Sequence, residues 1–191
     1  ALSEFIFFVF FFFQAEDGIR DLVRSRVLGD VYKRQGRPFT GDFAGILLYQ
    51  TLHKFGFATR PESVSADDGL QLLGCRITNA VKCLPPENKP IPQEIKQCNH
   101  YLTDEINEFV QKDGTALLAL GTVAHQAALM SARLKLKDYP FGHGAIHHLP
   151  LVNGVKLYDS YHCSRYNTQT KRLTAEMFEQ VFERIVTDMN R

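Results

Sequence analysis

The chain has 191 residues, 45% of them apolar, and a formal net charge of +1. That is enough for one domain with a real core, and it excludes a global basic field, so any contact with nucleic acid has to come from a local patch. Four cysteines without paired local spacing do not suggest a secreted disulfide scaffold and fit a reduced compartment, with thiols free or holding metal.

The first feature in chain order is a run of nine apolar residues, Phe5 to Phe13, most of them phenylalanine. It falls far short of the ~20 residues that span a bilayer. It also lacks the basic start and small-residue cleavage site of a signal peptide, because Ala-Leu-Ser-Glu precedes it and Gln-Ala-Glu-Asp follows. Near-pure phenylalanine is what a run of TTT codons gives. The segment "QAEDGIRDLVRSRVLGDVYKRQ" resembles the translation of adapter oligonucleotides used in short-read sequencing libraries. Residues 1–35 are therefore expected to be a non-native leader without function, and residues 36–191 to form the domain.

A helix is expected to start at Asp42 as N-cap and to run through "FAGILLYQTLHKF" to a stop at Gly56. The β-branched run "CRITNAV" reads as a strand, and "PPENKPIP" as a loop. "QEIKQCNHYLTDEINEFVQK" has helical period with a break expected around Asn99. "TALLALG" reads as a buried strand followed by the helix "TVAHQAALMSA", with further extended pieces in "GAIHHL" and "VKLYDSY". The tail is an amphipathic helix with Met177, Phe178, Val181, Phe182, Ile185, Val186 and Met189 on one face. Strands alternating with helices imply a mostly parallel sheet covered on both sides, with sites at its carboxyl edge.

Three segments beside those strands hold more polarity than folding needs. In "ITNAVKC", Asn79 interrupts an apolar strand; its amide could pair with the polar edge of a flat heterocycle, or bond a neighbouring loop. In "GRPFTGD", Phe39 is either a stacking surface or a core plug, and Asp42 either a working carboxylate or a plain cap. "YDSYHCSRYNTQTKRLT" has no acid after Asp159, and Arg165, Lys171 and Arg172 supply cations among many hydroxyl and amide groups. That is the inventory of a phosphate-gripping loop, or of a polar surface turn around a satisfied His162. His143, His147 and His148 cluster in "FGHGAIHHL"; with no carboxylate or cysteine in set with them, they read as structural.

In this order, "GRPFTGD", "RITNAVKCLPPENKP", "LLALGTVAH" and "SYHCSRYNTQT" resemble motifs of the iron–sulfur-containing uracil-DNA glycosylases of bacteria and archaea, from Gly36 to Thr174. The aspartate after "FTG" and the string H-x-S-x-x-N-T-Q-T favour family 5 (type b) over family 4. The resemblance implies a three-layer α/β/α sandwich around a central four-stranded parallel sheet, here lacking its N-terminal strand and first motif. It implies a monomeric prokaryotic repair enzyme of the nucleoid-bearing cytoplasm, with no membrane partner, that flips uracil out of DNA and hydrolyses its glycosidic bond. The alternative is a module that binds DNA and no longer cleaves.

By motif match, Phe39 would stack on the base, Asn79 would read its edge, and His162 would stabilise charge on the departing base. Asp42 and Asn167 would orient water or stabilise the sugar cation, Ser164 would hold a phosphate, and Arg165 and Tyr166 would fill the gap in the duplex. Cys83 and Cys98 match two of the four ligands of a [4Fe–4S] cluster; the other two come from a C-x-x-C that this sequence does not contain, so the cluster is expected to be incomplete here.

Overall fold

The computed structural model describes residues 6–10, 38–65, 67–80 and 92–190. Five short strands are β1 (Ile6–Phe10), β2 (Cys75–Asn79), β3 (Ala116–Leu120), β4 (Ile146–His148) and β5 (Lys156–Ser160). The main helices are α1 (Phe43–Lys54), α2 (Pro92–Gln111) and α3 (Thr122–Ser131), then a five-residue α4 (Arg165–Gln169) and α5 (Ala175–Met189).

The strands form one sheet in the order β2-β1-β3-β5-β4. Strands β2, β1, β3 and β5 run parallel, and β4 pairs antiparallel with β5 at the edge. The sheet is thus mixed, where the sequence reading expected a purely parallel one of four strands. The reason lies in chain length: only residues 149–155 separate β4 from β5, too few for the crossover of a dozen or more residues that a parallel partner needs. The connection closes as a hairpin, with Leu149 N–H donating to Val155 O at 2.9 Å.

Within the expected leader, Ile6–Phe10 pairs with β2 on one side and β3 on the other. The position expected to lack a strand is filled by this run. A short, uninterrupted apolar stretch rich in aromatic and β-branched residues suits a strand flanked on both sides. Residues 11–35, which carry the adapter-like segment, lie outside the described residues, as do residues 81–91, where "PPENKPIP" begins.

A second correction concerns α2, which runs through Asn99 without a break. The Asn99 side chain is buried, and its Nδ2 donates to Ala127 O of α3 at 2.8 Å. Tied to a neighbouring helix, that amide does not compete for its own backbone. The other expected helices fall close to their places, and Gly56, with φ +80°, ends α1 in the left-handed conformation that glycine adopts without strain.

Strand β3 shows how the layers divide. All five of its residues are buried; Ala116, Leu118 and Leu120 face a cluster built on α1 and α5, and Leu117 and Ala119 face one built on α2 and α3. The tail helix contributes Phe178, Val181, Phe182 and Ile185 to the first cluster, so its apolar stripe is spent on core packing.

The register matters most for function. Phe10 pairs with Asn79 and with Leu120, and Leu120 pairs with Ser160. The last residues of four parallel strands therefore lie on one level, and the segments that follow them leave from a common edge. Because β1 sits between two neighbours, Phe8→Pro removes a ladder N–H from the middle of the sheet. The expected cost is on the order of 3 kcal/mol, or roughly 6–12 °C in Tm by thermal unfolding. An unchanged Tm would place this run outside the sheet.

Candidate active site

At the carboxyl edge, the turn before α1 is built against strain. Phe39 has φ +64°, a left-handed conformation uncommon for a bulky side chain. Several contacts hold it there. Tyr49 Oη donates to Pro38 O at 2.7 Å, Gly41 N–H donates to Ser63 O at 2.9 Å, and the Thr40 and Ser63 hydroxyls lie 2.8 Å apart. Gly45 supplies the space: a Cβ at that position would stand 2.1 Å from Phe39 O. Phe39 is 2% exposed and belongs to the core cluster. Asp42 has extended backbone at the N-cap of α1, and its side chain makes no capping hydrogen bond, so the plain-cap reading does not describe its carboxylate.

The segment after β5 is fixed differently. Ser164 caps α4 by accepting from Asn167 N–H at 3.4 Å, and Asn167 Nδ2 donates to His162 O at 2.8 Å. His162 is thereby pinned through its own carbonyl. The β3–α3 turn closes against it: Gly121, with φ +92°, donates its N–H to Ser160 O at 2.8 Å, and a Cβ there would lie 3.5 Å from His162 Cβ.

These two segments meet. The Phe39 and His162 rings stand 5.9 Å apart at 53°, and the Arg165 guanidinium lies 5.6 Å from the Phe43 ring centroid. Cys163, beside His162, is wholly buried in the same cluster as Phe39. Burial pushes its thiol up to about 12, with a smaller push from the Asp42 carboxylate, so at neutral pH it is a packed thiol. Asn79 ends β2 at 4% exposure, and its Oδ1 accepts no hydrogen bond from the described residues. From Ser160 it is separated by the two strands β1 and β3, a span of roughly 14 Å at ~4.8 Å per step. Tyr166 is exposed, and Cys83 lies outside the described residues.

One buried polar group went unassigned in the sequence. Asp159, fully buried on β5, takes His125 Nδ1 at 2.8 Å on one oxygen and His147 Nε2 at 3.1 Å on the other, and His125 Nε2 faces Tyr139 O at 2.8 Å. Asp159 is the carboxylate that the histidine cluster lacked on paper. Two ligands of one tetrahedral zinc stand about 3.3 Å apart. The 2.8 Å contact fits a shared proton instead, so these residues are read as a hydrogen-bonded tether of α3 and β4 to β5.

The cysteines divide across the sheet. Cys98 is buried on α2 in the cluster of one face, and Cys75 and Cys163 lie in the cluster of the other. The chain has four cysteines in all, and two of them are walled off from Cys98 by the sheet. A cubane cluster needs four thiolates. The three described cysteines do not by themselves make up the four-thiolate set of a [4Fe–4S] site.

The family model of the uracil DNA glycosylase superfamily matches residues 27–186. The chain belongs to this superfamily. Within it, the sequence is similar to the type-5 uracil-DNA glycosylase of Thermus thermophilus, 46% identical over 148 residues, covering 78% of this chain and 65% of that protein. It is 38% identical over 157 residues to the type-5 enzyme of Pyrobaculum aerophilum, covering 81% and 65%. The type-4 uracil-DNA glycosylase of Thermotoga maritima matches over 97 residues at 37% identity, so similarity favours family 5 over family 4. The chain spans a little under two thirds of the length of those two type-5 relatives.

The close approach at Gly45 gives a direct check of this site. Gly45→Ala should force the Phe39 turn out of place at a cost of about 1–3 kcal/mol, read as a fall in Tm. An alanine variant with the parent's stability would show that the Phe39 turn is not held as described.

Proposed function

We propose that this glycosylase-superfamily domain belongs to a DNA-repair enzyme that hydrolyses the N-glycosidic bond of uracil in DNA. The observation that carries the reading is the buried Asn79 Oδ1 at the carboxyl edge of the sheet, with no partner among the described residues. A buried acceptor left unmade costs about 1–3 kcal/mol. A ring N–H from a flipped base would satisfy it, with the same amide donating to the adjacent carbonyl oxygen. The names of the type-5 relatives and the four parallel strands with helices on both faces support the α/β/α sandwich of such an enzyme.

The target bond lies inside the stack, so the nucleotide must leave the duplex at a cost of a few kcal/mol. Phe39 would offer its ring face to the extruded base; at 2% exposure, that face must be uncovered as the base enters. Cleavage leaves an oxocarbenium-like sugar and a base anion. His162, pinned by Asn167 and flanked by Gly121, would place a donor toward the anion, while Asp42 and Asn167 would steady the sugar and the attacking water. Ser164, Arg165 and Tyr166 line the exposed end of this loop, where phosphate contact and filling of the vacated stack would occur. Ser164 Oγ already accepts from Asn167 N–H, which leaves its hydroxyl proton for a phosphate oxygen.

Among the described residues no helix is long and apolar enough to cross a membrane. We place the enzyme at the nucleoid of a prokaryotic cytoplasm, acting as a monomer on uracil-containing DNA. Cys83 and Cys98 would supply two of the four thiolates that a [4Fe–4S] cluster needs. The domain would comprise Ile6–Phe10 and residues 36–191, with the adapter-like segment taking no part in catalysis.

Incubation with a uracil-containing oligonucleotide followed by alkali tests the activity: strand breakage supports it. Retained DNA binding with an unbroken strand would favour the reading of a module that no longer cleaves. Asn79→Asp replaces the donor by an acceptor and should lower excision by about 100-fold; unchanged turnover would remove Asn79 from base recognition.

A further inference from the structure

His143 takes no part in the mechanism above, yet its ring is built into the segment that carries His162. Its Nδ1 accepts the Tyr161 backbone N–H at 3.2 Å and lies 3.4 Å from Ser160 Oγ. The imidazole stacks on the Tyr161 ring at 5.0 Å and 21°, and the Arg172 guanidinium lies 4.7 Å from that same ring. Tyr161 directly precedes His162, so whatever fixes its backbone sets the height at which His162 leaves β5.

We propose that His143 is a positioning residue for His162, acting as a neutral hydrogen-bond acceptor that locks the Tyr161 backbone at the mouth of the site. The proposal rests on the glycosylase reading and deepens it. A neutral imidazole with its proton on Nε2 leaves a lone pair on Nδ1 for the Tyr161 N–H. A second proton on Nδ1 would set N–H against N–H, and the lock would open.

The surroundings keep that second proton off. Burial holds the ring below its usual range, opposed by the Met177 carbonyl of α5, which favours the charged form. Arg184 of α5 and Tyr158 of β5 line the same cavity of about 370 Å³ as His143, and both are bonded to the Asp188 carboxylate of α5; Arg172 faces His143 across the Tyr161 ring. Because the folded pKa lies below the unfolded 6.5, the contribution of His143 to stability is complete above pH 6.5 and is lost as pH falls toward the folded value.

Two variants separate the roles. His143→Phe keeps an aromatic stack and removes the acceptor; His143→Asn keeps an acceptor oxygen near Nδ1 and cannot titrate in this range. On the uracil oligonucleotide, His143→Phe should lose about tenfold in kcat with KM within about twofold, the worth of one hydrogen bond. His143→Asn should recover most of that loss and flatten the acid limb of the kcat profile below pH 6.5. Independently of activity, the Tyr161 amide proton should resonate as hydrogen-bonded in the parent and in His143→Asn, and move upfield in His143→Phe and on acidifying the parent. A parent that excises no uracil refutes the glycosylase reading, while the amide resonance still decides the lock. A Tyr161 amide indifferent to His143→Phe and to acid, or parent-like kcat in that variant, overturns the proposal.

Discussion

The parallel register of β2, β1, β3 and β5 is the constraint on which the site depends. It ends Asn79, Phe10, Leu120 and Ser160 on one level, so the Asn79 side chain, the Gly121 turn and the His162 segment all leave from the same rim. Slipping one strand by a single residue would turn every side chain of that strand to the other face. It would also carry Asn79 away from the rim. The alternation of β3 between two apolar clusters is what forbids such a slip: each of its five buried residues is specified by the helix layer it meets.

Around that rim, the structure accepts local costs that packing alone would avoid. A phenylalanine sits in left-handed backbone, held by a tyrosine hydroxyl and by a glycine that no other residue can replace without a clash. An asparagine oxygen is buried at a strand end without a partner among the described residues. An aspartate caps a helix in backbone only. Away from the rim, Asn99 reaches α3, and Asp159 holds two imidazoles at once. A left-handed phenylalanine and a buried asparagine oxygen without a partner among the described residues are features that binding sites collect.

Much of this was legible from residue patterns. The apolar stripe of Met177 to Met189, the continuous run of β3 and the glycine stop at Gly56 each report a local rule that the tertiary structure obeys. The four motifs gave the order of the site segments, and the structure brings two of them into ring contact through Phe39 and His162. Long-range facts were not legible. Nothing local says that Asp159 accepts from His125 and His147, because its partners come from another helix and another strand. Asn99 looked like a helix breaker because its tether to Ala127 is 28 residues away. The run at Ile6–Phe10 was set aside on compositional grounds, whereas strand pairing asks only for an apolar segment of the right length between two open edges. Phe39 keeps both of its readings, since a core plug with one side toward His162 is also a surface that a base could displace.

Asn79 and His162 are proposed to serve a single small-molecule site at the sheet's carboxyl edge. In a titration of the isotope-labelled chain with free uracil, the Asn79 side-chain amide resonances and the His162 ring resonances should shift together along one saturation curve. Shifts confined to other residues, or two unrelated curves for these side chains, would contradict it.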